Sequence, residues 1–316
     1  MQIAFIKCHG SGNDFPLIDA RAMALSDAQW AQLARALADR NGPVGGDGIL
    51  LLTKGNDRAA FGMRMLNPDG SEAETCLNGL RCTARLGFEL LGVDRASVQL
   101  KTSLAEVARD PELAPGVVTI RTQVGPASLA TGDVGLKIDA AELVDAPIPG
   151  FPSERRFTAV AMPNPHLVTF VDTVDEAELV ALGDWCEAAP ALIPGRANVS
   201  FVAMQDGGLF VRTYERGVGL TNSCGSAMAA STFAAGLTGR IGFGAAVTVF
   251  NRGGMVRASA TAPQDGALVT IRGNASFVYD ATIAFDPATG AIGAPLVHNR
   301  RFDEAQAWDA LLESLK

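Results

Sequence analysis

Apolar and polar residues alternate in many short stretches of the chain, and Gly, Pro, Asn and Asp separate these stretches. A period of two bounded by turn residues is typical of β-strands. The predicted strands are residues 1–7, 48–53, 62–66, 117–122, 157–162, 167–172 and 209–214. The sequence therefore predicts a protein in which short strands dominate.

Fewer stretches show the helical period. Ser26 and Gln29 have the spacing of a capping box, and Thr173 and Glu176 have the same spacing before a second surface helix. The predicted helices are residues 26–40, a stretch after Glu176, stretches directly after Cys76 and Cys224, and residues 303–316. The helices after the two cysteines begin at chemically reactive residues.

The second half of the chain repeats landmarks of the first at a nearly constant offset. The matching pairs are Asn13 with Asn164, Gly48 with Asn198, Asn67 with Glu215, and Cys76 with Cys224. Such a repeat predicts an α/β (α+β) protein of two homologous halves. We expect each to be a curved, mostly antiparallel sheet or barrel around a central helix, with the active site in a cleft between them. The expected domains are residues 1–124, joined by 279–316, and 125–278.

Composition and charge exclude several classes of function. With 48% hydrophobic and 19% charged residues, the 316-residue chain is that of a folded protein. Its net charge of −8 argues against a nucleic-acid partner, and no long apolar stretch predicts a membrane span. Five cysteines without an export signal predict a cytoplasmic location. Three scattered histidines and no Cys-x-x-Cys predict no metal site.

Cys76 and Cys224 are the main candidates for chemistry. At a helix N-terminus, unpaired N–H groups and the helix dipole favour a thiolate and also bind a carboxylate. Two equivalent thiols on opposite faces of an amino acid could remove a Cα proton and return it from the other side. A lone cysteine is more often a small core residue, which is our interpretation of Cys8, Cys82 and Cys186.

Other polar residues lie near the repeat landmarks. Glu215 and Arg216 precede Cys224, where an Arg could pair with a carboxylate and a Glu could hold an ammonium group. Each of the remaining candidates would pass alone as a turn or loop residue, but as a set they suggest a polar lining. They are Asn13, Asn67, Asn78, Asn164, His166 and Asn198.

The motifs resemble those of the diaminopimelate epimerase family over residues 1–279. They are His9-Gly10-Ser11-Gly12-Asn13-Asp14-Phe15, Asn67-Pro68-Asp69-Gly70-Ser71-Glu72, Asn78-Gly79-Leu80-Arg81-Cys82, Asn164-Pro165-His166, Glu215-Arg216-Gly217 and Cys224-Gly225-Ser226. The resemblance implies two similar α/β domains, no cofactor, and interconversion of LL- and meso-diaminopimelate in lysine and cell-wall precursor biosynthesis.

The resemblance also implies roles for residues. Cys76 and Cys224 would be the acid–base pair, supported by His166 and Glu215. Substrate contacts would come from the side chains of Asn13, Asn67, Asn164, Asn198, Glu215 and Arg216 and from the backbone of Leu77, Asn78, Gly225 and Ser226. Tyr279 is similar to the family's dimer-contact tyrosine, which implies a homodimer.

Four positions depart from the family pattern: Leu77, Pro163, Leu220 and Ala227. Leu77 matters most, because a side chain at a carboxylate-binding helix start could crowd the ligand or disfavour a positive φ. If the position supplies only an N–H from a helical conformation, Leu is harmless. Gly48 takes a place where some members have Gln, and the tail after residue 286 has no predicted function.

Competing hypotheses remain at this stage. Another cofactor-independent racemase, of the proline racemase type, would typically carry His at the position of Asn78 and would lack the Glu215-Arg216 pair. A thiol hydrolase could use Cys224 with His166, but it leaves Cys76 unexplained. An inactive binding homologue is a third alternative. A pyridoxal-phosphate racemase would need a Schiff-base lysine, and no lysine lies in a phosphate-binding context.

Overall fold

The computed structural model describes residues 1–205 and 207–315. The chain forms two compact units: unit 1 is Met1–Thr122 with Arg272–Lys316, and unit 2 is Gln123–Ile271. The return to unit 1 at Arg272 comes before the expected residue 279. The reason is that Arg272 pairs with Asp110 at 2.8 Å and Asn274 accepts a hydrogen bond from the Ser11 N–H at 2.7 Å.

The helices are α1 Asp27–Ala38, α2 Leu77–Leu91, α3 Thr131–Val134, α4 Glu176–Glu187, α5 Gly225–Leu237 and α6 Phe302–Glu313. The strands are β1 Gln2–Gly10, β2 Asn13–Asp19, β3 Ile49–Asn56, β4 Ala59–Leu66, β5 Arg95–Gln99, β6 Leu104–Asp110, β7 Thr119–Val124, β8 Ala146–Pro147, β9 Arg156–Ala161, β10 Pro165–Phe170, β11 Asn198–Gln205, β12 Gly208–Glu215, β13 Gly219–Thr221, β14 Val247–Asn251, β15 Gly254–Ala260, β16 Val269–Asn274, β17 Ser276–Ala284 and β18 Leu296–Arg300. All seven predicted strands and the predicted helices are confirmed; Lys316, the last residue of the predicted terminal helix, lies outside the described residues.

Strand pairing in unit 1 follows a regular sequence. β1 is antiparallel to β2, β2 parallel to β3, β3 antiparallel to β4, β4 parallel to β5, and β5 antiparallel to β6. Parallel neighbours need a crossover connection. α1 connects β2 to β3, and α2 connects β4 to β5.

Unit 2 repeats that sequence. β9 is antiparallel to β10, β10 parallel to β11, β11 antiparallel to β12, β12 parallel to β14, and β14 antiparallel to β15. Here α4 and α5 take the places of α1 and α2. The prediction of two similar halves from the repeat is therefore confirmed.

A buried helix lies at the centre of each unit. α2 packs against all the strands from β1 to β6, and α5 packs against β9, β10, β11, β12 and β15. Ala229, Ala230 and Ala234 of α5 are fully buried, because small side chains let the sheet approach the helix closely. The position of these helices fixes where their first turns, and hence the two cysteines, lie in the fold.

The surface helices test the predicted caps. At α1, Ser26 and Gln29 form the expected capping box. At α4 the prediction was wrong in position: Asp175 is the N-cap and accepts hydrogen bonds from the N–H groups of Ala177 and Glu178. Thr173 stands too far upstream, because the helix begins only at Glu176.

The tail after residue 286 forms an ordered part of unit 1. β18 pairs with β17, and α6 packs against β17 with Trp308 and Leu311 buried. Glu304 of α6 forms a bidentate pair with Arg85 of α2, at 2.6 and 2.8 Å. No helix within the described residues is long and apolar enough to cross a membrane.

Candidate active site

Both candidate cysteines occupy the N-cap of a central helix. Cys76 has an extended backbone conformation, and its sulfur accepts a hydrogen bond from the Gly79 N–H at 3.4 Å. Cys224 is also extended, at the N-cap of α5, with the Ser226 hydroxyl 3.5 Å from its sulfur. The first N–H groups of a helix have no partner inside the helix, so each thiol lies beside a group of donors.

Asn13 and Asn78 form a polar cluster with Cys76 in unit 1. The Asn13 Oδ1 atom accepts a hydrogen bond from Asn78 Nδ2 at 3.3 Å and lies 3.8 Å from the Cys76 sulfur. The Asn13 amide donates to Asp47 at 2.6 Å, which fixes its orientation. Asp47 was not among the sequence candidates, since nothing in the motif around it signalled a role.

Leu77 begins α2 and is buried, with no positive φ. A leucine therefore fits this position, and its side chain packs into the core. Gly48, the repeat counterpart of Asn198, offers no side chain to the site. A larger residue would not fit at this position, because φ is +147° and a Cβ atom would lie 2.4 Å from the Leu66 carbonyl oxygen. Asn67 bonds within its own turn, from Nδ2 to the Ser71 hydroxyl at 3.0 Å.

Unit 2 gathers Asn164, His166, Asn198 and Ser226 around α5. Asn164 donates to the Ser226 hydroxyl at 3.2 Å, and its Oδ1 lies 3.1 Å from His166 Nε2. Asn198 Nδ2 lies 3.4 Å from the same ring nitrogen. That nitrogen cannot donate to Asn164 and accept from Asn198 at once, so the ring's tautomer selects one of these bonds.

Glu215 ends β12 close to this cluster, and Arg216 follows it in a turn. Thr221 donates a 2.5 Å hydrogen bond to Glu215. The Arg216 N–H donates to Asn198 Oδ1 at 2.8 Å, and its guanidinium donates to the Gly195 carbonyl oxygen at 3.2 Å. Thr221 is a further residue that sequence reasoning missed.

The electrostatics of Cys224 differ from the sequence prediction. A helix start was expected to lower the pKa of the thiol. Burial instead raises the pKa of Cys224 well above its usual value, and the Glu215 carboxylate raises it further, outweighing the Ser226 and Ala227 hydrogen bonds that lower it. Cys224 is therefore a thiol at neutral pH.

His166 is fully buried, and its Nδ1 atom has no hydrogen-bond partner within the described chain. Burial lowers the pKa of His166 to about 3, with Arg216 contributing in the same direction. The ring is neutral at physiological pH. In this state it acts as a hydrogen-bonding group and carries no positive charge.

Tyr279 lies on β17. Its half-buried ring makes an edge contact with Phe5, and the Arg300 guanidinium stands 5.7 Å from the ring centre. β18 places Arg300 directly opposite Tyr279. Within residues 1–205 and 207–315, no three His, Cys, Asp or Glu side chains come together as a metal site.

Comparison with known proteins gives consistent matches. A family model described as diaminopimelate epimerase matches residues 5–125 and again 158–278. Relatives named diaminopimelate epimerase include one from Listeria innocua, 36% identical over 91% of this chain and 90% of its own. One from Clostridium acetobutylicum is 36% identical over 90% and 87%. One from Listeria welshimeri is 33% identical over 99% and 97%, so the similarity includes the tail.

Solved structures share the fold at low sequence identity. A hydroxyproline epimerase from Agrobacterium vitis superposes with a TM-score of 0.62 at 15% identity, over 99% of this chain and 98% of its own. A phenazine biosynthesis protein of the PhzF family from Bacillus anthracis gives 0.64 at 12%, over 90% and 100%. These two likenesses concern the fold alone.

Two duplicated halves, each built around a helix that begins at a cysteine, together with the named relatives define the class of protein: an isomerase of the epimerase type. The matches to both halves and to most of each relative's length identify it further. The chain belongs to the diaminopimelate epimerase family.

Proposed function

We propose that the protein interconverts LL- and meso-diaminopimelate, with Cys76 and Cys224 as its two acid–base groups. The observation that carries the proposal is that matched central helices of the two units each begin at a thiol. Family membership supports the substrate, which belongs to the biosynthesis of lysine and peptidoglycan precursors.

Inversion needs a base on one face of the α-carbon and an acid on the other. In one direction a Cys76 thiolate removes the Cα proton and becomes a thiol, while the electron pair of the C–H bond stays on carbon. The Cys224 thiol then donates its proton to the opposite face and becomes a thiolate. The reverse reaction exchanges these roles, and the mechanism uses no cofactor.

The helix starts supply the electrostatic part of the mechanism. Negative charge builds up on the reacting carboxylate as the Cα proton leaves, and helix N–H groups stabilise such charge. We assign this role to the backbone N–H groups of Leu77, Asn78, Gly225 and Ser226. Leu77 is compatible with it because a residue in helical conformation offers its N–H whatever its side chain.

The polar side chains serve recognition of the substrate. Arg216 is suited to pair with a carboxylate and Glu215 to hold an ammonium group. Neutral His166 supports catalysis by holding Asn164 or Asn198 in place, because its ring nitrogen lies 3.1 Å from Asn164 Oδ1 and 3.4 Å from Asn198 Nδ2 and its tautomer selects one of these bonds. Asn13 and Asn67 complete the proposed contacts in unit 1.

We also propose a cytoplasmic homodimer that contacts its partner through Tyr279. Cys8, Cys82, Cys186 and Cys224 form no disulfide within the described residues, which suits a reducing compartment. Light scattering of the purified protein tests the assembly: a mass of twice 32.9 kDa is expected, and a monomer at all concentrations would contradict it.

Proton NMR of LL-diaminopimelate in deuterium oxide with reduced enzyme, followed by separation of stereoisomers, tests the activity. Loss of the α-proton signal with formation of the meso isomer is expected. Exchange with proline or hydroxyproline instead would establish the racemase alternative. If the α-proton of none of these amino acids exchanged, the proposal would be rejected and the remaining hypothesis would be an inactive binding homologue.

A further inference from the structure

Arg81 is a fully buried cation on α2, about one turn after Cys76. Its guanidinium donates four hydrogen bonds to uncharged oxygens. The acceptors are the carbonyl oxygens of Asn274 at 3.0 Å and Leu77 at 3.4 Å, Asn78 Oδ1 at 2.9 Å and the Ser11 hydroxyl at 3.2 Å. The bond to Asn78 continues through Asn13 to the Cys76 sulfur.

The space around the guanidinium depends on two glycines. A Cβ atom at Gly10 would lie 2.9 Å from Arg81 Nη2, and one at Gly273 would lie 2.7 Å from Arg81 Cζ. Both distances are too short for real side chains. The backbones of β1 and β16 therefore form a close-fitting pocket for this guanidinium.

Arg81 forms no ion pair with a carboxylate of the described chain, in contrast to Arg85 one turn later, which pairs with Glu304 and Glu89. A buried cation without an anion is costly, and burial lowers the pKa of Arg81 to about 10. Groups near it that can become anions include the thiols of Cys82 and Cys76, whose charge would raise the Arg81 pKa again, Cys82 more than Cys76.

The two halves differ at this point. Ala229 holds in α5 the position that Arg81 holds in α2, and it is fully buried. The position of Asn67 in unit 1 is taken in unit 2 by Glu215, whose carboxylate helps to raise the pKa of Cys224. Cys76 thus has a buried positive charge nearby, whereas Cys224 has a negative one.

We propose that Arg81 is a positioning residue that stabilises the thiolate of Cys76 and orients Asn78 and Asn13, so that Cys76 is the base and Cys224 the acid in the resting enzyme. The inference rests on the proposed roles of the two cysteines. When Cys76 loses its proton it gives up the long contact to Asn13 and keeps the Gly79 N–H as donor.

Other titratable groups near Arg81 do not supply this charge. Burial lowers the pKa of His9 to about 4, so this β1 residue is neutral at physiological pH. Burial and contact with Cys82 raise the pKa of Cys8, also on β1, well above its usual value. Asp14 on β2 is paired with Lys7 and Arg40.

The test is the pH dependence of iodoacetamide alkylation at Cys76, followed residue by residue with tandem mass spectrometry and without substrate. Arg81→Met should raise the midpoint by about one pH unit or more, and slow alkylation at neutral pH roughly tenfold. Arg81→Lys should restore much of the wild-type midpoint. Arg85→Met is the matched control and should leave the midpoint unchanged.

A folded Arg81→Met protein with the wild-type midpoint would overturn the proposal. If Arg81→Met does not fold, the wild-type protein provides the test. Its thiolate absorbance in the ultraviolet is followed against pH, and the part of that absorbance that Cys76→Ser removes gives the midpoint of Cys76. A Cys76 midpoint below the ordinary value of about 8.5 supports the proposal, and one at or above it overturns it. Failure to epimerise diaminopimelate would be a separate result, because neither readout needs turnover.

Discussion

Cys76 and Cys224 hold equivalent places in the repeat, yet their surroundings make them chemically different. Cys76 is partly exposed, with Asn13 and the Gly79 N–H beside it. Cys224 is buried next to Glu215, which raises the pKa of its thiol. An acid and a base can thus arise from one repeated residue through its neighbours.

Cys76→Ala and Cys224→Ala should each lower the rate of inversion by at least about 10²–10⁴-fold, because each removes one of two proton-transfer groups. Cys186→Ala is the control, since this buried cysteine lies in the core of unit 2 and outside the proposed site. Stereoisomer separation measures the rate and circular dichroism checks the fold. Wild-type turnover in either site variant would reject the two-thiol mechanism.

At the scale of elements, α2 links the candidate site to the C-terminal tail. Its N-cap is Cys76, and its middle carries Arg85, which binds Glu304 of α6. Trp308 of α6 makes an edge contact with His9 at 5.8 Å. The tail therefore stabilises the helix and strand that frame the unit 1 cluster.

Glu304→Gln should lower the free energy of unfolding by about 2 kcal/mol, because among the carboxylates of the described chain it leaves the buried Arg85 guanidinium paired only with the partly exposed Glu89. Glu89→Gln, at the exposed end of the same network, should change it by less than about 0.5 kcal/mol. Urea unfolding at neutral pH compares the two. Equal losses of stability in the two variants would show that the Arg85–Glu304 pair stabilises the protein no more than the exposed Arg85–Glu89 pair.

Asp175→Ala should destabilise the protein by about 1 kcal/mol, because the carboxylate caps two N–H groups at the start of α4. Thr173→Ala removes the residue that spacing alone suggested as the cap, and should change stability by less than about 0.5 kcal/mol. Thermal unfolding distinguishes them. A larger loss in the Thr173 variant would contradict the cap seen in the structure.

The element positions were largely predictable from sequence, because strand alternation, helix caps and the repeat are local or periodic signals. Ser26 shows this at α1. α4 shows the limit, since Thr173 and Asp175 both suit a cap and only the observed helix start identifies Asp175 as the cap. The site was predictable only as a set of residues; Asp47 and Thr221 enter it through folding alone.

For the molecule as a whole, each unit contains a histidine that is neutral at physiological pH: His9 in unit 1 is partly buried and His166 in unit 2 is fully buried. Burial lowers the pKa of His9 in unit 1 to about 4 and that of His166 in unit 2 to about 3, from 6.5. Below pH 6.5 these histidines bind protons in the unfolded chain but stay neutral in the folded chain. Stability is therefore lost progressively as pH falls from 6.5 toward these values, and is unaffected above it.

Between about pH 7 and pH 5 each histidine should reduce the free energy of unfolding by about 2 kcal/mol. Urea unfolding at the two pH values measures the loss. His9→Gln and His166→Gln should each make stability less sensitive to pH, and His298→Gln, an exposed histidine, is the control. If the wild-type protein and the three variants showed the same dependence of stability on pH, the rings of His9 and His166 would not control that dependence.

The sequence by itself determined the strands, the helices, the two similar halves and the placement of a cysteine before each central helix, because these depend on periodicity and on short-range capping. Only the tertiary structure decided the environment of those cysteines. Burial, the position of the Arg81 guanidinium and that of the Glu215 carboxylate depend on residues far apart in the chain. Desolvation and charge act through space, so identical residues in a repeated motif can acquire different chemical environments.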